Sequence, residues 1–561
     1  MMRRNPPQAC LAAAIALLLC SQAAFAQRAA DWSIEDAAHL LRRAGFSGTP
    51  EQITRLHALG KKNAVAYMLD GTLPKAAAGL TAPFEPADMP EYQTLRELTG
   101  LNIGRGAYQF GQLPEEQRMA LIGVFTAIQG FETQRLRGWW MHRMAVSHHP
   151  LREKMTLFWH GLFTSGGREV RNAEFLAVQN RVFYQHALGS YKDLTKAICK
   201  DPAMLRYLNA DQNRRGMANE NLARELFELF TLGEGNYTEQ DIRETARALT
   251  GGGVDDRGYV FRERQHDSGI KRVFGKTGNF KSDDIVELIF QRREPADYLA
   301  RRLWTHFAYP DPESTTISPV ARALRKNWQL RDALEAIFLS DDFYSEKARF
   351  ALIKSPVELL VSAAREMGHQ PTPEALFAFN DNLRNMGQEL FNPPNVRGWP
   401  GAELWITNTT LYARYELASS LVNGALQRAR SLRLAARNVR LDRAFAIPDN
   451  ATPALKEQLQ SIRANVEKVR AMAEVAAGKA DLPPAPVTQL LAPFPAQQIA
   501  PPDLLDSLIA HFLQRPLHPA KRQAILDAVG NAPIQRDHRP SDQRIRQMLA
   551  LLLSSPEYQV H

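Results

Sequence analysis

Apolar residues recur every three or four positions along most of the chain, which is the spacing of one face of an α-helix. The clearest stripe is formed by Leu222, Leu226 and Phe230. Gly233 follows this stripe, and glycine is the usual residue just past the C-terminus of a helix. The pattern therefore predicts a helix over residues 219–232. Similar stripes predict further helices at residues 117–144, 194–208, 283–290, 297–307, 330–338, 356–367 and 411–429.

Patterns typical of β-strands are scarce. Residues 259–261 and 272–274 combine aromatic and β-branched side chains, and they flank a turn around Ser268. We expect one short β-hairpin between Gly258 and Phe274. The predicted fold is therefore mainly α: a multi-helix array with one short hairpin.

A segment late in the sequence resembles an earlier one. The pentapeptide LWTHF at 303–307 aligns with LIAHF at 508–512, and both segments end in a similar serine-to-tyrosine motif. Each copy reads as a helix, a proline-rich turn and two further helices, which indicates an internal repeat of a small helical unit. Because apolar residues flank His306 and His511, we expect both to be core residues rather than ligands.

Composition divides the chain into segments. Residues 71–90 are rich in alanine and proline, and seven prolines between positions 483 and 502 predict a semi-rigid spacer. The predicted organisation is a signal peptide at 1–26, N-terminal helices and a linker at 27–90, a main helical domain at 91–430, arginine-rich and long polar helices at 431–480, a proline-rich linker at 481–502, and a C-terminal helical unit at 503–561 that packs back on the main domain.

The first 26 residues have the features of a secretory signal. Arg3 and Arg4 precede an apolar run at 9–19, and Ala24 and Ala26 form a small-x-small cleavage pattern. We expect cleavage after Ala26, because an apolar run of this length is too short to span a bilayer stably. No later segment offers a long apolar run, so we expect no transmembrane segment after signal removal and a periplasmic or extracellular location.

The overall composition is that of a folded protein. The 561 residues include 69 Lys and Arg against 60 Asp and Glu, and 45% are hydrophobic, which excludes wholesale disorder. Removal of the signal lowers the net charge from +9 to +7 and leaves Cys199 as the single cysteine, so no internal disulfide is expected. An exported, mildly basic protein suits an anionic envelope surface better than nucleic acid.

Familiar catalytic motifs are absent. The chain has no Gly-x-Ser-x-Gly, His-Glu-x-x-His or Cys-x-x-Cys sequence. Residues 269–277 imitate a phosphate-binding loop, but five residues separate the glycines where four are needed. Only one Asp-Ser-Gly triplet is present, whereas an aspartic protease needs two carboxylates that share a proton. The sequence therefore assigns no established hydrolase or redox mechanism.

Four residues are candidates for acid–base or metal chemistry. Glu225 lies at the border of its helix's apolar stripe, where partial burial would raise its pKa. His160 ends an apolar run beside a glycine-rich turn, and His266 and Asp267 lie in the predicted hairpin turn. Two imidazoles and two carboxylates could converge in a catalytic site, with or without a metal. Separate structural roles are the alternative, and the cofactor is unknown.

Two further features are candidates for binding. Prolines and glycines fix the backbone of residues 391–401 around Trp399, and Asn395 and Arg397 lie on the same loop. This loop is either a ligand platform or a plug on the side of a domain. An arginine stripe could bind an anionic polymer, lipid head groups or a partner, or could be a solvated face. Its members are Arg430, Arg433, Arg437 and Arg440.

Several blocks together resemble the bacterial "domain of unknown function 1800" family. The blocks occur in the family's order and cover most of the mature chain. One departure is Gly252, which stands where the family usually has tryptophan. The resemblance implies an exported, largely helical protein without an established activity, often encoded beside "domain of unknown function 1501" proteins, which look like relatives of sulfatases and alkaline phosphatases. The blocks are residues 39–46, 158–160, 219–233, 245–251, 266–269, 275–280 and 391–401.

Two functional hypotheses follow, and whether the protein is an enzyme stays open. The first is an exported accessory or scaffold protein that binds a sulfatase-like or phosphatase-like partner, or an anionic envelope polymer, through the Trp399 loop and the arginine stripe. The second is an envelope hydrolase that uses His160, Glu225, His266 and Asp267, with or without a metal.

Overall fold

A computed structural model describes residues 32–71, 115–424 and 482–561, except positions 256, 370 and 537, together with a few helical positions between 453 and 475. The predicted signal peptide, its cleavage site at Ala26 and the four arginines of the predicted stripe lie outside the described residues, as do most of residues 72–90 and 431–480. In the part of the chain that is described, no helix is long and apolar enough to cross a membrane.

The described chain is mainly α-helical, as the apolar stripes predict. The helices up to residue 248 are α1 (Ile34–Ala44), α2 (Pro50–Ala58), α3 (Lys61–Asp70), α4 (Glu115–Val146), α5 (Pro150–Leu162), α6 (Gly167–Val170), α7 (Ala173–His186), α8 (Tyr191–Ile198), α9 (Pro202–Tyr207), α10 (Asn221–Glu228) and α11 (Glu239–Ala248). The later helices are α12 (Ser282–Phe290), α13 (Glu294–Phe307), α14 (Ser314–Asn327), α15 (Leu330–Phe338), α16 (Pro356–Glu366), α17 (Pro373–Phe377), α18 (Asn380–Asn385), α19 (Asn408–Asn423), α20 (Val487–Leu490), α21 (Pro501–Leu508), α22 (Pro519–Val529) and α23 (Arg539–Leu553).

Polar capping residues fix where many of these helices begin. Ser33 accepts a hydrogen bond from the Asp36 backbone N–H, and the Asp36 carboxylate accepts one from the Ser33 N–H. Ser355 and Glu358 form the same capping box at the start of α16. These reciprocal bonds satisfy backbone donors that a helix N-terminus would otherwise leave unpaired.

Three helix predictions need correction, and one of them is the helix predicted at 411–429, which ends at Asn423 because Gly424 leaves the helical conformation. The predicted helix at 194–208 is two helices: α8 ends at Ile198, and Asp201 caps a new helix that begins at Pro202. Proline is favoured at the first position of a helix, where no N–H is needed. The helix predicted at 219–232 is regular only over α10, and turns follow it to Gly233, whose φ is 81°.

The predicted β-hairpin is wrong in its pairing. The strands are β1 (Gly252–Asp255), β2 (Gly258–Phe261), β3 (Lys271–Val273) and β4 (Lys276–Gly278), and a further pair joins β5 (Gln498–Ile499) to β6 (Ile534–Gln535). β2 pairs with β1 and β3 pairs with β4, each antiparallel, so β2 and β3 are not partners. In both pairs a strand is bonded to the strand that a short turn connects to it.

The core consists of two clusters of buried apolar side chains. One cluster is built from residues between 32 and 348, and the other joins α4, α16–α19 and residues 482–558. Helix α23 packs against α19, so the last helices share a core with the middle of the chain. The order α21, α22, α23 and a final 3₁₀ turn repeats the order of α13, α14, α15 and the turn at Asp342–Tyr344.

Candidate functional site

The Trp399 loop, residues 391–401, is anchored to the turn between α5 and α6. The Phe391 N–H donates to Nε2 of His160 at 3.1 Å, and the Gly167 N–H donates to the Phe391 carbonyl at 2.7 Å. Gly398 has a φ of 83°, and a Cβ at this position would lie 2.4 Å from the Gly161 carbonyl oxygen. Only glycine therefore allows the loop to approach α5 so closely.

His160 lies in an aromatic box beneath this loop. Its ring centre is 5.5 Å from that of Trp140, 5.0 Å from that of Phe391 and 5.3 Å from that of Trp399. Burial, followed by the charge of Arg137, lowers the His160 pKa to about 3. Because Nε2 accepts a hydrogen bond, the neutral ring carries its proton on Nδ1, a buried atom without a hydrogen-bond partner. The ring positions the loop.

Helix α10 carries a charged face. Arg224 contacts Glu220 at 3.3 Å, as the four-residue spacing predicts, and also binds both carboxylate oxygens of Glu239 at 2.8 Å. Glu225 is half-buried, and burial followed by the charge of Glu228 raises its pKa. Glu225 therefore has the perturbed carboxyl group expected from its place at the border of the apolar stripe.

Two residues near Glu225 were missed by the sequence analysis. Burial, followed by the charges of Glu169 and Glu225, raises the pKa of Tyr207 to about 12. A Cβ on Gly166 would meet both Glu169 and the Tyr207 ring, so these side chains lie together beside the glycine-rich turn. The turn itself could have indicated Glu169, but no sequence pattern indicates Tyr207.

Arg397 joins the Trp399 loop to α10. Its guanidinium lies 3.0 Å from Glu228 and 3.4 Å from Glu234, and its side chain is 63% exposed. Asn395 acts within the loop, where its carbonyl oxygen accepts the Arg397 N–H at 2.9 Å. Of the predicted binding residues, Arg397 and Trp399 are thus brought into one region with His160 and the Glu225 face of α10.

An exposed apolar segment follows the loop. The side chains of Leu404 and Tyr412 are 67% and 65% exposed, and Ile406 between them is also exposed. Trp405 is buried and fixes the intervening 3₁₀ turn, Ala402–Trp405, to the core. The buried Trp405 thus holds the segment in place, while its other large apolar side chains lie in solvent.

His266 and Asp267 belong to a different structural unit. The His266 Nδ1–H donates to the Thr250 carbonyl at 2.9 Å, and the ring packs 5.5 Å from that of Phe261. Asp267 binds Arg247 through both carboxylate oxygens, at 2.8 and 3.2 Å. Hydrogen bonding to Arg247 is the largest cause of the Asp267 pKa being lowered to about 2. Both side chains hold the segment between β2 and β3.

A buried lysine completes this segment. The Lys271 ammonium donates to the carbonyls of Asp267 and Gly269 at 2.5 and 3.0 Å, and to the side-chain oxygen of Asn279 at 3.1 Å. Its side chain is fully buried, and burial lowers its pKa. Oxygens that converge in this way are typical ligands of a bound cation, and here the ammonium occupies that position.

The four candidate catalytic residues therefore fall in two places. Among the described residues, no hydrogen bond, ion pair or ring contact links His160 or Glu225 to His266 or Asp267. Within the same residues, no group of three His, Cys, Asp or Glu side chains is arranged to hold a metal ion. The arrangement favours separate roles for the two pairs: His160 anchors the Trp399 loop beside the Glu225 helix, and His266 and Asp267 hold the β2–β3 segment.

Comparison with known proteins gives one match. The family model described as "Protein of unknown function (DUF1800)" matches residues 39–560. No curated protein and no solved structure matches the chain.

Proposed function

The chain belongs to the DUF1800 family, and from this premise we propose that it is an exported accessory protein that binds a partner protein through the Trp399 loop and the apolar segment after it. The observation that carries the proposal is the combination of a rigidly anchored loop with exposed Leu404 and Tyr412 directly behind it. Large apolar side chains that are held in place and left in solvent are typical of interaction sites.

Preorganisation supports this assignment. Phe391 and Gly398 tie the Trp399 loop to the end of α5, and Arg397 ties it to α10, so little freedom is left for binding to remove. A surface that loses little entropy on association keeps more of its contact energy as affinity. The exposed Arg397 beside the apolar segment supplies the charged rim that such surfaces commonly have.

The expected setting is the bacterial envelope. The leader at residues 1–26 supports export to the periplasm or the outside, and the family resemblance supports an exported protein of the "domain of unknown function 1501" family as the partner. An anionic envelope polymer is a second partner, favoured by the arginine stripe at 430–440 and the net positive charge. Dextran sulfate would serve as the probe for that stripe.

Affinity isolation from the native host tests the partner proposal. We would compare the full chain with Leu404→Asp and Tyr412→Asp, and use Ile270→Asp as the matched control, because Ile270 is an equally exposed side chain, at 64%, outside the proposed surface. The wild type and the control should recover the same exported partner, and the two loop-side variants should lose it. The proposal would be contradicted if the wild type were recovered without a partner, or if Ile270→Asp lost the partner as completely as Leu404→Asp and Tyr412→Asp.

A second candidate function is an envelope hydrolase, and Glu225 is the observation that favours it. A half-buried carboxyl with a raised pKa beside Tyr207 has the features of a general acid. Purified protein would be assayed with p-nitrophenyl sulfate, phosphate and acetate. Turnover that is lost in Glu225→Gln and kept in the exposed control Glu234→Gln would support it, and equal rates in both variants would exclude Glu225 as the catalyst.

A further inference from the structure

A buried cationic cluster lies away from the Trp399 loop, where helices from distant parts of the sequence meet. Its basic side chains are 0–5% exposed. Electrostatic interaction with the carboxylate of Glu358 or Glu366 connects each of them to the cluster. The basic members are Arg42, Arg43, Lys154, Lys354 and Arg414.

Glu358 already has its partners. Its Oε1 lies 2.7 Å from the Lys154 ammonium, and its Oε2 accepts the Ser355 N–H at 2.9 Å and lies 3.6 Å from Nε2 of His561. Burial alone would raise the pKa of Glu358, but the charges around it, Lys154 first, hold that pKa well below its usual range. Glu358 is therefore a full negative charge and balances one cation.

Glu366 is the second carboxylate. Its Oε2 accepts the hydroxyl of Tyr558 at 2.6 Å, and its side chain is 2% exposed. The side chains of the cluster therefore carry five formal positive charges and two negative ones, so that 5 − 2 leaves an excess of +3. Uncompensated charge inside a protein is strongly destabilising, so an excess of this size favours a bound counter-charge.

Three guanidinium groups keep unused donors inside this cluster, and Nε of Arg42 is one of these donors. Arg43 donates to the carbonyls of Phe307 and His306 at 2.9 and 2.7 Å, while its Nη1 has no hydrogen-bond partner. Arg414 donates to the Gln559 side chain at 3.0 Å and the Lys354 carbonyl at 2.8 Å, while its Nε has none. The side chains of Arg43 and Arg414 are 0% exposed, so water at the surface does not satisfy their donors.

Deprotonation does not remove the excess. Burial lowers the pKa of Lys154 and of Lys354 to about 8, so both remain mainly protonated at neutral pH. Even with both lysines neutral, the three arginines exceed the two carboxylates by 3 − 2 = +1. Arginine does not give up its proton in a protein at physiological pH.

We propose that this cluster binds one small inorganic anion, held by the free N–H groups of Arg43 and Arg414 and by the net positive charge around Glu358. Buried guanidinium donors favour chloride or an oxyanion such as sulfate or phosphate. The ion completes the charge balance where α1, α5, α16 and α19 meet, and it joins the early helices to the segment that contains Gln559 and His561.

Release of the ion from the native protein is the first test. Full-length mature protein would be exchanged extensively into sodium gluconate and denatured, and the released anions would be measured by ion chromatography. We expect one equivalent of chloride, sulfate or phosphate per chain, and the chromatogram identifies which. Less than a tenth of an equivalent of all three, by order of magnitude, would overturn the proposal.

Anion-dependent stability is the second test. Thermal unfolding would be followed at constant ionic strength while sodium gluconate is replaced by the chloride or sulfate salt. We expect a midpoint that rises with the logarithm of the anion concentration for the wild type, and a rise about half as large or smaller for Arg414→Met. Arg522→Met is the matched control, because Arg522 is a partly exposed arginine that lies outside the cluster and is bound to Asp506. A linear rise that is equal in all three proteins is a general salt effect and would contradict the assignment.

A third measurement does not depend on a folded variant. If Arg414→Met fails to fold, Lys354→Met replaces it in the unfolding experiment, because this change lowers the charge of the cluster and leaves the guanidinium groups of Arg43 and Arg414 in place. The third measurement is anomalous scattering from a crystal of the wild type grown in bromide, which should give a peak beside Arg43 and Arg414. Ordered bromide elsewhere, with none beside these residues, would refute the site.

Discussion

Replacing His160 by phenylalanine separates the two physical roles of this ring. Phenylalanine keeps the aromatic packing against Trp140 and Trp399, but it removes the acceptor that Nε2 offers to the Phe391 N–H. A buried donor left unsatisfied costs about 1–3 kcal/mol. We therefore expect His160→Phe to lower the free energy of unfolding by that amount at pH values above 7.

The same substitution should change the pH dependence of stability. The His160 pKa is about 3 in the folded protein and about 6.5 in the unfolded chain. Below pH 6.5 the unfolded chain therefore binds a proton that the folded protein rejects, and stability falls by about 1.4 kcal/mol per pH unit. Between pH 6.5 and 5 the loss is about 2 kcal/mol, and phenylalanine does not incur it.

Urea unfolding followed by tryptophan fluorescence at pH 7.5 and pH 5 measures both the loss of the hydrogen-bond acceptor and the pH dependence of stability. The difference in stability between wild type and His160→Phe should shrink by about 2 kcal/mol at the lower pH. The control is His160→Gln, whose side-chain oxygen can accept the Phe391 N–H. It should lose less stability than His160→Phe at pH 7.5. A difference that stays constant between the two pH values would refute the conclusion that the folded protein holds this imidazole neutral.

Three further predictions concern single sites. Gly398→Ala should lower the free energy of unfolding by about 1–3 kcal/mol in urea titrations, because the new methyl group would meet the Gly161 carbonyl and the backbone has a positive φ; an unchanged midpoint would contradict the close approach. Cys199 is 4% exposed and burial raises its pKa to about 12, so a native chain that lacks residues 1–26 should not react with a thiol reagent such as Ellman's, while urea should release one reactive thiol. Rapid labelling of the native chain would argue against the burial of this side chain. Asp267→Asn should lower the free energy of unfolding by about 1–2 kcal/mol at neutral pH, and its difference from wild type should vanish as the pH falls from 3.8 towards 2, where the wild-type carboxylate also becomes protonated. An equal difference in the free energy of unfolding at both ends of this range would show that the ion pair with Arg247 is not responsible.

Apolar periodicity was sufficient to predict most helices. The stripe at 330–338 gives α15 with both ends correct, because a helix that buries one face must repeat its apolar residues. The same signal hid the break before Pro202, since apolar residues continue across two helices that pack on one core. The Asp201–Pro202 pair, a capping residue followed by a favoured first residue, was the local signal for that break.

The strand pairing was not visible in the pattern. β1 begins with Gly252 and Gly253, and glycine has a low preference for strands, so the partner of β2 went unrecognised. The turn between β3 and β4 contains Phe274 and Gly275, both with positive φ, as the two-residue turn of a hairpin requires. Phenylalanine is an unusual residue in such a turn, so little in the residue pattern indicates the turn.

The properties of a candidate site residue could be predicted only where its position on a single helix determines them. Glu225 is perturbed because its place on the helix brings it to the edge of the core, and that place can be read from spacing alone. The partner of His160 is a backbone N–H 231 residues away, and no spacing rule predicts such a pair. An imidazole next to glycines indicates a site of interest, but its role depends on the group that the fold brings to it.

Lys271 gives the segment between β2 and β3 an unusual independence from its surroundings. A loop whose carbonyls gather around calcium or sodium loses its order when the ion is removed, whereas an ammonium on the same chain cannot diffuse away. Chelators and changes in dissolved ions should therefore leave this segment's conformation untouched. Its shape is fixed when the chain folds, whatever cations the surrounding fluid contains.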